Sequence, residues 1–224
     1  MNVTTILFVS EEVASCCCYI LFEEVSNLFL FQFENLLTGS IPSELGLLSQ
    51  LRVLTAWANK LSGSIPPEVW AQPDKNTFIV SSNADLTGTI PTEISVLGAL
   101  SLSDTNISGP IPSELGMFSS IFAIDLSNSM VTGAIPSELA NLPRLAFLEL
   151  DSTSVSGTLP NMFASQTSLV SLMVNDTLMT GEVPDALCDI SILHFDCPDM
   201  CGCNCPCMDG EGMNINVAAN NATR

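Results

Sequence analysis

The chain has 224 residues, 47% of them hydrophobic, which is enough apolar material for one domain with a full core. Its formal net charge is −19 at pH 7, with five Lys and Arg residues in total. Phosphate contacts need clustered basic side chains, so this charge excludes a general nucleic-acid binder and disfavours binding to an anionic membrane surface.

Residues 1–27 differ from the rest of the sequence, and we expect an irregular N-terminal segment there. The apolar run Ile6–Val9 is short and is followed by two glutamates, whereas a secretory signal needs a basic start and about 7–15 apolar residues. The run Cys16–Phe22 is also far shorter than the roughly 18 residues that span a bilayer. We find no export signal or membrane anchor, and we expect a fragment or a start inside a longer gene.

A short phrase recurs through the middle of the chain, and Val131–Leu139 (VTGAIPSEL) is a clear copy. Each copy reads apolar, Ser or Thr, Gly, any residue, apolar, Pro, with its glycine at position 39, 63, 88, 109, 133, 157 or 181. By subtraction, the spacings are 24, 25, 21, 24, 24 and 24 residues. A leucine-rich sequence with a fixed period of about 20–29 residues predicts a solenoid of stacked coils.

The residues before each glycine predict one short strand per coil. In the unit that ends at Pro160, Leu148 and Leu150 alternate with period two, as on a strand whose apolar side chains point inward. One such strand cannot bury its apolar face alone, whereas seven coils stacked about 4.8 Å apart give a parallel sheet roughly 30 Å long. The residues between the leucines then face solvent on the concave side.

The turn after each strand has to satisfy its backbone polar groups inside a narrow coil. Asn suits this place because its amide can bond to the backbone of adjacent coils. Asn35, Asn59 and Asn83 fit, although Asn35 lies two residues beyond the place that a strand start at Leu28 predicts. We expect this ladder to weaken towards the C-terminus, where the equivalent residues are Thr105, Ser129, Thr153 and Thr177.

A Ser or Thr precedes every glycine of the repeat. We expect a structural ladder of hydroxyl groups, because buried hydroxyls usually serve structure. The alternative is a flat face that orders water or ice. The residues are Thr38, Ser62, Thr87, Ser108, Thr132, Ser156 and Thr180.

Two coils depart from the common period. The coil from Gly63 to Gly88 has one extra residue, which we place between residues 83 and 86. The next coil, from Gly88 to Gly109, is three residues short between Ile94 and Leu97. Loops tolerate such changes at little cost, so neither should break the stack.

Two segments, Leu145–Pro160 and Leu37–Gly46 (LTGSIPSELG), carry a resemblance to a known family. They resemble the consensus of plant-type leucine-rich repeat proteins, which include receptor-like kinase ectodomains, receptor-like proteins and polygalacturonase inhibitors. The resemblance covers about residues 28–195, with about seven repeats in residues 28–187, and it implies a leucine-rich repeat solenoid, a right-handed β/α superhelix. It implies a parallel β-sheet on the concave face, 3-10 or short helical turns outside, and a second set of short strands.

Six cysteines crowd into residues 188–207 after a truncated last coil. A solenoid end exposes its core and needs a cap, and disulfides can hold a loop-rich one. Their pairing is open, and a metal–thiolate cluster is the alternative, although zinc sites favour wider spacing. We expect residues 208–224 to be a disordered tail. The cysteines are Cys188, Cys197, Cys201, Cys203, Cys205 and Cys207.

Asn-x-Ser/Thr sequons occur at Asn2, Asn106, Asn175 and Asn221. We expect Asn106 and Asn175 in or beside exposed turns after a strand, where each could carry a glycan. Chance matches are common in a chain rich in Ser and Thr. Together with repeats of an extracellular type, the sequons favour an extracellular or cell-surface protein.

The sequence offers little catalytic chemistry. His194 is the one histidine, and we expect it to be packed or solvated rather than part of a catalytic triad. The sequence contains no kinase Gly-rich loop, lysine strand or catalytic-loop set. We therefore expect no enzyme activity, no cofactor, no metal site and a monomer.

The concave face is the candidate site. Placing the coils in register gathers an acidic group towards the C-terminal end, and like charges about 5–7 Å apart are unfavourable unless a cation relieves them. The predicted ligand is a basic peptide, a cationic protein or a Ca²⁺-bridged glycan; a solvated acidic face without a ligand is the alternative. The predicted ligand-binding residues are Trp57, Ile79, Asp104, Asp125, Glu149, Asp151 and Asp176.

These observations predict a non-catalytic recognition domain that binds a protein, peptide or glycan on its concave face, and one interpretation is that it is a fragment of a larger receptor-like protein. Polygalacturonase inhibitors of the resembled family also use the concave face, so a secreted inhibitor of cell-wall glycosidases is the second hypothesis. A structural or ice-binding extracellular protein is the third.

Overall fold

The structure is a computed structural model that describes residues 28–72, 76–94 and 98–196. Two parallel β-sheets run along this region, and successive coils give one strand to each. The first sheet has eight strands in chain order. They are β1 Leu28–Phe31, β3 Leu51–Thr55, β5 Thr77–Ile79, β7 Ala99–Ser101, β9 Ala123–Asp125, β11 Phe147–Glu149, β13 Ser171–Met173 and β15 Ile192–His194.

The second sheet follows the repeated glycines and has seven strands. Gly133 shows why glycine is needed there, because its φ of 80° lies in a region that other residues rarely adopt. The strands are β2 Thr38–Gly39, β4 Lys60–Ser64, β6 Asn83–Thr89, β8 Thr105–Pro110, β10 Met130–Gly133, β12 Ser154–Gly157 and β14 Leu178–Met179.

Short helical turns complete the coils on the outer side. Each begins after a proline, such as Pro136 with φ −61°, which has no backbone N–H that would need a partner. No helix in the described part of the chain is long enough to cross a membrane. The turns are α1 Pro67–Trp70 and the 3-10 helices Ser43–Leu47, Ser113–Met117, Ser137–Asn141, Asn161–Ser165 and Asp185–Leu187.

The core lies between the two sheets and the helical turns. Leu145, Leu148 and Leu150 are each 0% exposed, as are Val155 and Leu139 in the adjoining elements. Each coil adds a similar set to one continuous cluster, so a coil is stable only against its neighbours. The predicted solenoid, with parallel strands and an inner leucine core, is confirmed.

Buried asparagines join successive coils. Asn83 accepts a hydrogen bond from Leu61 N and donates to Ala56 O, both in the preceding coil. Asn59 makes the corresponding pair one coil earlier. The hydroxyl residues at this position bond within their own coil, as Thr153 does to a carbonyl three residues earlier at 2.6 Å. The ladder therefore weakens towards the C-terminus, as predicted.

The first coil is in register with the second. β1 pairs with β3 so that Leu30 lies beside Leu54, and a register shift follows Leu28. Asn35 then precedes Asn59 by the same interval that separates the two paired leucines. The predicted displacement of Asn35 is wrong, because the inward-facing residue that sets the phase of this coil is Leu30.

The hydroxyl residues before the repeated glycines do not form a buried ladder. Thr38, Thr87, Thr132 and Thr180 are exposed on the outer face of the second sheet, and the three equivalent serines are half-buried. Each follows a buried apolar residue of the same coil, so the alternation of the strand turns the hydroxyl outward.

The two irregular coils keep the stack intact. The extra residue before Gly88 is accommodated in β6, whose register with β8 shifts between Asn83 and Thr87. The shortened stretch falls at residues 95–97, outside the described residues. Three other predictions also fall outside the described residues. They concern the irregular segment 1–27, the tail 208–224, and five of the six cap cysteines, namely Cys197, Cys201, Cys203, Cys205 and Cys207.

Candidate ligand-binding face

The outward side chains of the first sheet form columns along the stack. In the three-residue strands β9, β11, β13 and β15 the middle residue is buried, so the first and third residues face outward. Strand pairing fixes which residues stand side by side. The column at the strand ends, called the end column below, contains Thr55, Ile79, Ser101, Asp125, Glu149, Met173 and His194.

A second row, the turn row, lies two residues after the end column. Backbone hydrogen bonds join the coils here, for example Asn128 N to Asp151 O at 2.9 Å. The donor residue has a positive φ, 50° at Asn128, which Asn and Asp tolerate better than most residues. Asp104 and Asp176 occupy the same left-handed position in other coils. The turn row is Trp57, Ser81, Ser103, Ser127, Asp151 and Asn175.

Asp125 is held by three serines. Its Oδ2 accepts hydrogen bonds from Ser101 Oγ at 2.8 Å and Ser103 Oγ at 2.7 Å. Its Oδ1 accepts from the hydroxyl of Ser127 at 2.7 Å and from the backbone N–H of that residue at 3.1 Å. Both carboxylate oxygens are engaged, so Asp125 contributes charge to the face but has little remaining capacity to bind a ligand directly.

Glu149 stands beside Asp125 on the next strand, and its carboxylate accepts fewer hydrogen bonds. Ser171 Oγ donates to Glu149 Oε1 at 3.5 Å, at the long limit for a hydrogen bond. Partial burial raises the pKa of Glu149, the charges of Asp125 and Asp151 raise it further, and the bond from Ser171 opposes them. Ionisation of this side chain is therefore less favourable in the folded protein than in water.

Asp151 lies in the turn row next to Glu149 and also has a raised pKa. Partial burial is the largest cause, and a hydrogen bond from its own backbone opposes it. The negative charges of Asp125 and Asp176 raise the pKa further, while His194 lowers it. The structure thus brings four of the five predicted acidic residues into electrostatic contact, and they are called the acidic group: Asp125, Glu149, Asp151 and Asp176.

The fifth predicted acidic residue, Asp104, is exposed and joins neighbouring turns. Its carboxylate accepts hydrogen bonds from Asn128 Nδ2 at 2.5 Å and from Ser82 Oγ at 3.2 Å. Asp104 lies on the same face as the acidic group, but its carboxylate oxygens already accept hydrogen bonds from the adjacent coils. At the other end of the row, Asp196 accepts from the backbone N–H groups of residues 176 and 177 at 3.0 and 3.3 Å and caps the last turn.

Trp57 and Ile79 lie apart from the acidic group. Trp57 stacks on Phe33, with ring centroids 5.3 Å apart and planes within 4°. Ile79 is half-buried and is two strands, or about 10 Å, from Asp125. Sequence reasoning missed Phe33 and the exposed Phe31 because it placed the first coil two residues out of phase.

Four exposed apolar side chains lie beside the acidic group at the strand starts. Phe147 and Ile192 open β11 and β15 and are 38% and 41% exposed. Phe122 and Val170 immediately precede β9 and β13 and are 44% and 38% exposed. We call these residues the apolar row. The four belong to consecutive coils, and they occupy two registers, because Phe122 and Val170 lie one residue earlier in their coils than Phe147 and Ile192.

Ser171 shows that the apolar row is packed. It opens β13 and is paired in register with Phe147 on one side and Ile192 on the other. It faces outward, yet it is 0% exposed, so neighbouring side chains cover it. Sequence reasoning missed the row because it compared only the strand ends, although the same alternation two residues earlier would have identified Phe147 and Ile192.

The predicted glycosylation sites have different surroundings. Asn106 is exposed and is the second residue of β8 in the second sheet, two residues after the turn at Asp104, and its glycosylation stays a prediction. It pairs with Thr87 on the adjacent strand. Asn175 lies in the turn row, is half-buried, and donates from Nδ2 to Asp176 Oδ2 at 3.2 Å. A glycan on Asn175 would occupy the candidate face.

Cys188 is the one predicted cap cysteine in the described part of the chain, and it is half-buried at the end of the last 3-10 helix. The pairing of the cap cysteines stays a prediction. No cluster of His, Cys, Asp or Glu side chains within residues 28–72, 76–94 and 98–196 has the arrangement of a metal site.

No family model and no curated protein matches the chain, whereas solved structures do. It is similar to the leucine-rich repeat ectodomain of the Arabidopsis receptor kinase HAESA in complex with an N-terminally extended IDA peptide hormone. The identity is 28% and the TM-score 0.67, over 74% of this chain and 29% of that one. It is also similar to a TDR receptor, with 28% identity and a TM-score of 0.65, over 75% of this chain and 32% of that one.

A third similar structure is the ectodomain of the plant membrane receptor kinase GASSHO1/SCHENGEN3 from Arabidopsis thaliana, in complex with CASPARIAN STRIP INTEGRITY FACTOR 2. The identity is 28% and the TM-score 0.62, over 70% of this chain and 19% of that one. The chain therefore spans between 19% and 32% of the length of these three structures.

Proposed function

We propose that this chain, which is a leucine-rich repeat protein of the plant type, is a non-catalytic domain that binds a cationic protein or peptide on its concave face. The observation that carries the proposal is the acidic group at the C-terminal end of the first sheet. Partial burial and neighbouring carboxylates raise the pKa of both Glu149 and Asp151 there, and His194 lowers that of Asp151.

Relief of electrostatic repulsion supports this function. The raised pKa values of Glu149 and Asp151 mean that their charged forms are costly in the free protein. A Lys or Arg side chain placed against them would favour ionisation and recover part of that cost on binding. The net charge of −19 would also attract a cationic partner over a longer range and speed the encounter at low salt.

The similar structures support a receptor-like context. The HAESA ectodomain is in complex with a peptide hormone, and the GASSHO1/SCHENGEN3 ectodomain belongs to a membrane receptor kinase. By likeness, we propose that this chain works on the extracellular side and recognises its ligand without catalysis. Trp57 and Ile79, together with Phe33, are proposed to extend the contact surface towards the N-terminal end.

Calorimetric titration with a synthetic peptide of alternating lysine and serine tests the proposal. We expect Glu149→Gln combined with Asp151→Asn to weaken binding by about tenfold or more. The matched control is Glu44→Gln with Glu138→Gln, which removes the same charge from exposed positions on the outer turns. Equal losses in both double variants would show a general charge effect, and equal affinity for a glutamate–serine peptide would exclude a cation site.

A second candidate function is ice binding by the second sheet. The exposed residues Thr38, Thr87, Thr132 and Thr180 belong to every second coil, so their outward hydroxyls form a row with a spacing of about 10 Å. Measurement of thermal hysteresis would test it, with Thr132→Lys as the variant that interrupts the row. Hysteresis that is absent, or unchanged in this variant, would exclude the second candidate.

A further inference from the structure

A groove opens on the outer side of the first two coils, where the second sheet leads into the helical turns. Its volume is about 500 Å³, within the range of roughly 300–1,000 Å³ that is usual for small-molecule sites. β2 ends at Gly39 and β4 at Ser64, and each coil then reaches its outer turn through a proline. The lining includes three serines, two prolines and one glutamate: Ser40, Ser43, Ser64, Pro42, Pro66 and Glu44.

The polar side chains of the groove are exposed and available to a ligand. In three other coils a hydroxyl residue donates to the glutamate that follows it, as Ser137 Oγ does to Glu138 Oε2 at 3.3 Å. Ser43 and Glu44 repeat this sequence, yet neither side chain makes a hydrogen bond within the described residues. The hydroxyls of the other two serines are likewise unpaired in that part of the chain.

This set of groups requires a ligand that donates several hydrogen bonds. The carboxylate of Glu44 only accepts, whereas each serine hydroxyl both donates and accepts. Adjacent hydroxyl groups of a sugar have the same double capacity, so they match the serines and also donate to the carboxylate. The rings of Pro42 and Pro66 offer apolar carbon against which the C–H groups of a sugar ring can pack.

We propose that the groove between the first two coils binds a neutral mono- or disaccharide. Ser43 and Glu44 hold adjacent sugar hydroxyls from the outer turn, and Ser40 and Ser64 bind others from the end of the second sheet. The site lies on the outer side of the coils, apart from the acidic group of the concave face. It is therefore independent of the proposed function and is tested separately.

Charge and the number of ligand groups argue against other occupants. A phosphate or an acidic sugar would be repelled by Glu44, in a chain of net charge −19 whose groove contains no Lys or Arg. A small ammonium ion would pair with Glu44 and leave the serine hydroxyls without a partner from the ligand. Ca²⁺ takes about six to eight oxygen ligands, usually with several carboxylates, and this groove supplies one carboxylate.

NMR titration of the isotope-labelled full chain with cellobiose, maltose and lactose tests the proposal. We expect at least one of these disaccharides to cause saturable shift changes at Ser40, Ser43, Glu44 and Ser64, with Glu149 on the concave face unchanged. Ser43→Ala with Glu44→Gln should weaken the affinity for that disaccharide by about tenfold or more, because it removes hydrogen bonds to the ligand.

The matched control is Ser137→Ala with Glu138→Gln, which removes the same groups from an exposed outer turn away from the groove. It should change the affinity by less than about twofold. Ser64→Trp places a large side chain in the groove and should abolish binding, and thermal melting checks that each variant folds.

Three results would overturn the proposal. The first is the absence of saturable changes with all three disaccharides. The second is an equal loss of affinity in the two double variants, which would show that the groove residues are not the ones that bind. The third is an equal response of the groove residues to butylammonium chloride, which would show a carboxylate that attracts any cation rather than a saccharide site.

Discussion

Asp125 and Glu149 stand side by side at the ends of adjacent strands, yet their carboxylates are held differently. Asp125 receives four hydrogen bonds from three serines. Glu149 receives one long hydrogen bond, at 3.5 Å, and its pKa is raised by burial and by neighbouring charges. The end column thus contains Asp125, whose carboxylate is held by hydrogen bonds within the fold, and Glu149, whose negative charge we propose is offset by a cationic ligand.

This difference predicts opposite effects of two similar substitutions on stability. Asp125→Asn should lower the free energy of unfolding by about 1–2 kcal/mol, because it weakens charge-assisted hydrogen bonds from the serines. Glu149→Gln should raise the free energy of unfolding at pH 7, because it removes a charge that burial and two carboxylates disfavour. Urea denaturation measures both. Destabilisation by both variants to the same extent would contradict the assigned roles.

The raised pKa values of Glu149 and Asp151 also predict the pH dependence of stability. Their ordinary values are 4.5 and 3.8, and in the folded protein each group holds its proton more tightly. Their contribution to the free energy of unfolding is therefore greatest below the ordinary values and is lost as the pH rises through the raised values.

Denaturation of the wild type and of Glu149→Gln with Asp151→Asn, from about pH 3.5 to 7, measures this contribution. The double variant should be more stable than the wild type at pH 7, and the gap should close as the pH falls. A gap that does not change with pH, or that widens on acidification, would show that these two groups do not carry the predicted linkage.

The two types of turn residue should differ in their contribution to stability. Asn83→Ala should cost about 3 kcal/mol, because it leaves Leu61 N–H and Ala56 C=O without their partner from the next coil. Thr153→Ala should cost about 1 kcal/mol, since its hydroxyl bonds within one coil. Equal costs in guanidinium denaturation would mean that the links between coils add no stability.

The continuous core predicts a large cost for losing one inward leucine. Leu148 is 0% exposed, so Leu148→Ala should reduce the free energy of unfolding by about 2–5 kcal/mol. Leu47 is 79% exposed on an outer turn, and Leu47→Ala should cost less than about 0.5 kcal/mol. A small effect of Leu148→Ala in chemical denaturation would contradict the solenoid core.

Regular repeats made much of this fold predictable. The glycines mark the phase of each coil, so the inward position of Leu148 and the neighbouring positions of Asp125 and Glu149 follow from counting. The sequence alone predicts the wrong phase for the first coil, because Leu28 and Leu30 are equally apolar. The pairing of β1 with β3 shows that Leu30 is the residue in register with Leu54. Repetition fixes positions along the strand, but it does not distinguish which of two leucines faces inward at an irregular end.

Side-chain partners were less predictable than positions. The three serines around Asp125 occupy places that the repeat predicts, but their hydrogen bonds depend on rotamers that the sequence does not specify. The exposure of Thr132 depends on which face of a short strand is covered, and the repeat alone does not determine this. The negative charge of the face was therefore predictable, whereas the difference in hydrogen bonding between Asp125 and Glu149 was not.

Chemical-shift mapping by NMR, with the lysine–serine peptide added to the isotope-labelled chain, tests the central claim most directly. The account predicts saturable shift changes concentrated at Phe147, Glu149, Asp151 and His194, with the second sheet, including Thr132, unchanged. Changes centred on the second sheet or the outer turns would contradict the assignment of the concave face, as would a complete absence of saturable changes at low salt.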